Sequence, residues 1–276
     1  MPPRLADAPE ETHRMNPRTL MPARNHIDLL AMLAWRDIAI RYKQSVLGVL
    51  WAILMPTAIV MAGIVLRLAI SESSGRSMQS RELVLILVKA APWAFFAATL
   101  RFGTNCLIVN TNLVCKIFFP RLILPFAAVL SQLFDFAIAF SIVALVLVAT
   151  GSGSVAALGW VPLLVALLVL LTAGLVAFLS AASLFFRDVK YLVEVALMFA
   201  IFVTPVLYES TAFGRWRPLL LLNPVAPLLE GLATTIVDGR ATDLPWLAYS
   251  ATVAVLVFVG SVTFFRRVES SFAEYA

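Results

Sequence analysis

The sequence predicts an all-α membrane protein: six transmembrane helices, an N-terminal amphipathic interfacial helix ahead of the first, and a re-entrant outer helical hairpin before the last. Three observations carry this expectation. Of 276 residues, 61% are hydrophobic and 13% charged, with a mean hydropathy of +0.93, and so few charges cannot supply the polar surface of a soluble domain. Apolar runs of about 20 residues, the length that crosses hydrocarbon as a helix, recur along the chain. The connections between them are short, and the runs lack the alternating ten-residue pattern of a barrel, so helices satisfy their backbone groups best.

Residues 1–25 are polar and Pro-containing and lack the apolar centre of a signal peptide; they read as a flexible cytoplasmic tail. Residues 26–276 read as one transmembrane domain. The segment His26 to Lys43 predicts the interfacial helix, because Ile27, Ala31, Ala34, Trp35, Ile38 and Tyr42 share one charge-free arc at about 100° per residue. Leu29, Leu33 and Ile40 form a second, narrower stripe, and Asp37 and Arg41 stand i,i+4 for mutual support. A helix lying only on lipid needs one stripe; the second points to protein on the other side. A surface anchor with its charged face in water is the alternative.

The spans are expected at 48–70, 83–109, 122–148, 157–185, 191–208 and 246–265. The second contains Lys89 and Arg101, and the fifth is short and starts close to Glu194. Between the fifth and the sixth, the apolar stretch Leu219 to Ile236 is broken by Pro224 and Pro227 and contains Glu230. It reads as a hairpin dipping into the outer leaflet, with a seventh span as the alternative. With the N-terminus inside, 13 of the 21 Lys and Arg residues fall on the inner side, five fall outside and three lie within spans. That bias predicts a multi-pass protein of the inner (plasma) membrane with both termini cytoplasmic.

The sequence contains no GxxxxGK[ST] or GxGxxG loop, no HExxH, CxxC or GxSxG, and no close aspartate pair suited to Mg²⁺ on a lipid diphosphate. With two cysteines and two histidines there is little material for a disulfide framework or a zinc cage. No catalytic residue, cofactor or metal is expected in this chain. The net charge of +5 is spread along the segment ends rather than gathered on one domain, so membrane topology accounts for it better than a nucleic-acid partner.

Three inner edges are candidate contact sites. The first is the interfacial helix with Trp35, Arg36, Asp37, Arg41, Tyr42 and Lys43. The second is the connection Asn110 to Arg121, with Asn112, Lys116, Phe118, Phe119 and Arg121, whose adjacent phenylalanines mark either a contact surface or a lipid interface. Arg187 and Asp188 form the third, equally readable as a positive stop with a helix cap. Within spans, each ionisable residue costs roughly 2.5–3.5 kcal/mol at a helix centre. Arg67 and Glu194 lie near span ends and can snorkel. Lys89, Arg101 and Asp135 are better candidates for a polar passage, with an Arg101–Asp135 bridge between adjacent spans. Trp93 and Phe96 could stack on sugar faces along such a passage, or simply pack.

Set together, five segments resemble the permease subunit of type 2 ATP-binding-cassette exporters, in the branch that exports O-antigen, capsule and teichoic-acid polymers. They are RDIAIRYKQSVLGVLW (Arg36 to Trp51), NTNLVCKIFFPRLILP (Asn110 to Pro125), FRDVKYLVEV (Phe186 to Val195), TPVLYES (Thr204 to Ser210) and LNPVAPLLEG (Leu222 to Gly231). The resemblance covers roughly residues 26–275 and implies a homodimer served by two copies of a separate ATPase subunit, which binds the ATP and Mg. It implies that the interfacial helix and the Asn110 to Arg121 segment dock on those ATPases. Leu47 and Gly48 resemble the turn into the first span, where glycine's backbone freedom permits a sharp passage. Asn223, Pro224, Pro227 and Glu230 resemble an outer gate. Met55 before Pro56 and the charge at Lys89 depart from the family pattern.

The function so implied is ATP-driven export of a lipid-linked polysaccharide within membrane lipid. A type 2 permease for a lipid, drug or small glycolipid is the nearest alternative. A membrane-embedded enzyme acting on polyprenyl lipids and a scaffolding membrane protein are others.

Overall fold

The structure is a computed structural model that describes residues 23–43, 50–74, 80–116 and 120–272. Residues 1–22 of the expected tail, the Leu47–Gly48 turn, Phe118, Phe119 and the side chain of Lys116 lie outside the described residues, while residues 23–25 belong to the first helix. Every regular element among those described is helical. α1 covers Ala23–Lys43, α2 Leu50–Ser74 and α3 Ser80–Thr104, followed by the short α4 (Cys106–Val109) and α5 (Thr111–Lys116). α6 covers Ile123–Thr150, α7 Val161–Phe185 and α8 Val189–Val203. The short α9 (Arg217–Leu221) and α10 (Val225–Ala233) precede α11 at Leu244–Val268.

Among the described residues, four segments, Arg81–Thr104, Ile123–Thr150, Leu158–Phe185 and Leu244–Val268, are long and apolar enough to cross a membrane. The expected span 83–109 is shorter than its apolar run. The helix breaks at Asn105, and the Asn110 side chain bonds back to the Cys106 carbonyl at 2.8 Å, the local competition that ends helices at Asn. The expected span 191–208 also stops early. Thr204 adopts φ −86°, ψ 132°, the extended conformation forced on a residue before proline, here Pro205. At 1.5 Å per residue the 15 residues of α8 reach about 22 Å, short of a hydrocarbon layer of about 30 Å.

α7 sits at the centre, packed against α3, α6, α10 and α11. Its small residues Gly174, Ala177, Ser180 and Ala181 allow close approach, which helices in lipid need because burial from water does not drive them together. A Cβ at Gly174 would lie 2.8 Å from the Phe258 Cα of α11. The main core joins Val88 and Phe95 of α3, Leu164 and Leu168 of α7, and Leu228 and Leu229 of α10. A second cluster at the α1 end of the bundle joins Leu33 and Ala34 to Leu107, Val114, Ala127, Phe265 and Phe272. α6 terminates on Gly151, at φ 63°, whose N–H closes onto the Leu147 and Val148 carbonyls.

α1 packs on α6, though through neither of the stripes read from its sequence. Its buried face takes Leu33 from the narrow stripe and Ala34 and Ile38 from the broad arc, while Ile27, Trp35 and Ile40 stay about two-thirds exposed. Residues 30, 33, 34, 37, 38 and 41 follow the i, i+3, i+4, i+7 series of one helix face, and that face includes the charged positions 37 and 41.

The stretch Leu219 to Ile236 forms no single helix long enough to cross a membrane. It is divided into α9, of five residues, and α10, of nine, which continues directly into a π-helical turn at Thr234–Asp238. Apart from Glu230, α10 is buried, between α3, α7 and α11 at the end of the bundle opposite α1.

Candidate functional site

A polar junction ties α1 to the bundle. The carboxylate of Asp135, on α6, accepts hydrogen bonds from the Arg41 guanidinium and the Tyr42 hydroxyl. One helical turn earlier on α6, the Gln132 amide takes the orientation in which its oxygen accepts from Arg41 at 3.0 Å and its nitrogen donates to Asp135 at 3.3 Å. The Arg41 guanidinium also lies over the Phe102 ring, 4.9 Å from its centroid, which adds α3 to the junction. Tyr42 meets Phe134 edge-on at 6.4 Å. A second contact lies nearer the start of α1. Arg36 donates to Asn110 at 2.8 Å and to its neighbour Asp37 at 2.9 Å. This bond carries α1 to the α4–α5 connection.

Asp37 therefore pairs with Arg36 rather than with Arg41 four residues on, and Arg41 turns to Asp135. The Arg101–Asp135 bridge expected from the sequence is replaced by Arg41–Asp135. Arg101 lines instead a groove of about 790 Å³ between α1, α3 and α6, and its guanidinium has no hydrogen-bond or ion-pair partner among the described residues. An adjoining cavity of about 160 Å³ shares Arg41, Ala98 and Gln132 with the groove and continues along α3 and α6.

Burial, followed by the Asp135 carboxylate that accepts its proton bond, pushes the Tyr42 phenol up to about 12. Folding therefore favours the protonated phenol. The stabilisation is complete below the unfolded value near 10 and is lost as pH rises through the folded value. In ultraviolet titration of the detergent-solubilised protein, a phenol ionising near 12 is expected, and it should vanish in Tyr42→Phe. Ionisation of every tyrosine by pH 11 would contradict this assignment.

Of the other inner-edge candidates, Trp35 and Asn112 are exposed, as is Lys43 at the end of α1. Arg121 is committed inside the chain: its backbone N–H donates to the Glu269 carboxylate at 2.9 Å, its guanidinium to the Glu269 carbonyl, and it lies over Phe272. Arg187 and Asp188 are exposed at the turn into α8, and Asp188 makes no side-chain cap.

Lys89, Trp93 and Phe96, read from the sequence as passage residues, are packed inside the bundle at 1%, 3% and 6% exposure. Lys89 donates to the Pro205 and Tyr208 carbonyls, which the break after α8 leaves without helical partners. The structure thus separates these three from Arg101 and Asp135, which border the groove and the cavity beside it.

At the far end, the candidates Asn223, Pro224, Pro227 and Glu230 form one folded unit. Asn223 donates to Thr204 Oγ1 at 2.8 Å and accepts from the Val225 N–H at 3.1 Å, opening α10, while Pro224 supplies a fixed φ of −63°. Glu230 accepts from the backbone and hydroxyl of Ser210 at 2.7 and 2.6 Å. Arg81, at the start of α3, clamps this unit with two bonds to Asp238, at 2.9 and 2.7 Å, and one to Glu209 at 2.9 Å.

Sequence reading missed Asn110, Ser131, Gln132 and Arg81 as contacts. Ser131, Gln132 and Asp135 share one face of an otherwise apolar helix, a signal available from spacing alone.

The described helices thus make an apolar multi-pass bundle whose charged groups concentrate at its two ends. Residues 28–237 match the ABC-2 type transporter membrane family. The chain belongs to the ABC-2 type transporters. It is 25% identical over 256 residues to the O-antigen export system permease protein RfbA of Klebsiella pneumoniae, covering 90% of this chain and 94% of that one. It is 28% identical over 250 residues to the protein of the same name from Myxococcus xanthus, covering 89% and 94%. As an ABC-2 permease it is a multi-pass membrane transport subunit rather than an enzyme.

Proposed function

We propose that this ABC-2 chain is the permease of an exporter that moves a lipid-linked, O-antigen-like polysaccharide outward across the inner membrane. The single observation that carries the reading is likeness over nine-tenths of the chain to permeases named for O-antigen export. In this reading two copies form the passage, and two separate ATPase subunits bind ATP and Mg. Six crossings comprise α2, α3, α6, α7, α8 extended by the residues after it, and α11, with both termini cytoplasmic. α9 and α10 form the re-entrant outer hairpin.

α1 and the α4–α5 connection are the coupling edge. Arg36 and Arg41 fasten α1 to Asn110 and Asp135, so a push on the exposed side of α1, around Trp35, is delivered to α3 and α6 rather than absorbed by a loose anchor. Arg187 and Asp188, solvent-exposed on the same side, are available to the partner.

Affinity purification in mild detergent is expected to bring down an ATPase subunit in equal number, and loss of the gene should leave lipid-linked glycan on the inner face. Intact surface glycan in a clean deletion rejects the reading.

A further inference from the structure

We infer that the turn after α11, through Glu269 and Phe272, is the positioning device that holds the Asn110 to Arg121 connection in place at the coupling edge. This rests on the proposed reading of that connection and deepens it by naming what anchors it. α11 gives way to a 3-10 turn at Glu269–Ser271, which carries Phe272 into the bundle. Phe272 is fully buried, at 0% exposure, although it lies beyond the end of α11. Its ring meets Phe265 edge-on at 5.1 Å and Phe185 at 5.9 Å. The same cluster contains Leu33 and Ala34 of α1 and Val114 of α5, so the ring fills volume that these elements share.

Glu269 makes the direct link to the connection. The Arg121 N–H stands ahead of α6, where no helical acceptor exists, and the Glu269 carboxylate accepts it at 2.9 Å. The Arg121 guanidinium donates to the Glu269 carbonyl and lies over the Phe272 ring, 5.9 Å from its centroid. Three contacts to one short turn thus grip the far end of the connection, while Val114 seats its nearer part in the shared cluster. That grip decides where a force on the connection goes. α11 packs along α7 in the most extensive helix pair of the bundle, so Arg121 held on Glu269 mounts the connection on that pair. Without the turn it would be mounted on α6 alone, and a push would be spent in displacing the connection itself.

The full-length chain with its copurifying subunits carries the test. Surface glycan on intact cells is divided by ATP hydrolysis of the purified complex for the parent, Phe272→Ala, Glu269→Ala and Gly174→Ala. Gly174→Ala strains the α7–α11 pair away from the connection and is the control for lost stability alone. Each variant is assayed at the same interval below its own melting temperature. Phe272→Ala should then export less per ATP than Gly174→Ala by a factor of about three or more, and Phe272→Leu should restore most of the loss. Where Phe272→Ala yields no folded chain, Glu269→Ala, at a half-buried position, decides by the same ratio.

Release of the copurified subunits by Phe272→Ala, with Gly174→Ala retaining them, supports the inference equally. Equal export per ATP in the two variants overturns it, because a merely structural role moves both alike. An exporting parent whose variants match the control sinks this inference and leaves the proposed function standing. A parent that exports nothing sinks the proposed function and takes this inference with it.

Discussion

Asp135→Asn is expected to reduce export about tenfold or more while the chain still inserts and copurifies with its partners. The change keeps the side chain's shape and removes only the charge. Arg41 then faces an amide, and the Tyr42 hydroxyl loses its strong acceptor. Both members of the pair are mostly covered, at 23% and 18% side-chain exposure, so water replaces the lost partner poorly. Hydrogen bonds to charged groups are worth about 1.5–3 kcal/mol, and each 1.4 kcal/mol is a factor of ten in a rate or an equilibrium.

The matching change Arg41→Gln should produce a similar loss. Because the two residues form one junction, the double substitution should be milder than the sum of the singles, with a coupling of about 1–3 kcal/mol in thermal unfolding. Surface glycan on intact cells reads the export arm. Normal export by Asp135→Asn, or strictly additive singles, removes the junction from the coupling path.

The second large effect is expected at Gly174. A Cβ there lies 2.8 and 2.9 Å from Phe258 Cα and N, which are backbone atoms of a rigid helix and cannot swing aside. α7 and α11 form the most extensive helix pair in the bundle, so separating them disturbs the core on both sides. Gly174→Ala should cost about 1–3 kcal/mol, the range for overpacking, and Gly174→Leu should prevent recovery of folded protein from detergent. Gly260→Ala, on α11 with open space at its Cβ, is the control and should be near neutral. A Gly174→Leu protein as heat-stable as its parent refutes the close approach.

Much of the bundle was legible because hydrocarbon imposes one dominant signal. α6, α7 and α11 lie within a few residues of the runs read from apolarity alone. Boundaries failed where backbone chemistry overrides hydropathy, at the Thr204–Pro205 break and at Asn105, both inside continuous apolar runs. The face of α1 was misread for a different reason. A charge-free arc is the buried face only when nothing polar awaits it, and α6 offers Ser131, Gln132 and Asp135, so positions 37 and 41 turn inward.

Pairing was the least legible level. Arg101 and Asp135 have compatible charges and adjacent helices, but Arg41 reaches Asp135 from a helix outside the spans. Charge complementarity in sequence names candidates, and the rotation of each helix chooses between them. Likewise Lys89 was read as a passage charge because the loose carbonyls of Pro205 and Tyr208 are not visible until α8 is seen to end.

α3 meets three of these arrangements along its length: Phe102 under Arg41 near one end, Lys89 beneath the break after α8, and Arg81 on Asp238 and Glu209 at the other. It therefore joins the two ends of the bundle as one continuous helix, in which Pro92 is the residue without an N–H for the ladder of bonds. In the proposed orientation and export cycle, a tilt imposed at its α1 end reaches the opposite mouth as leverage, with no residue-by-residue relay in between.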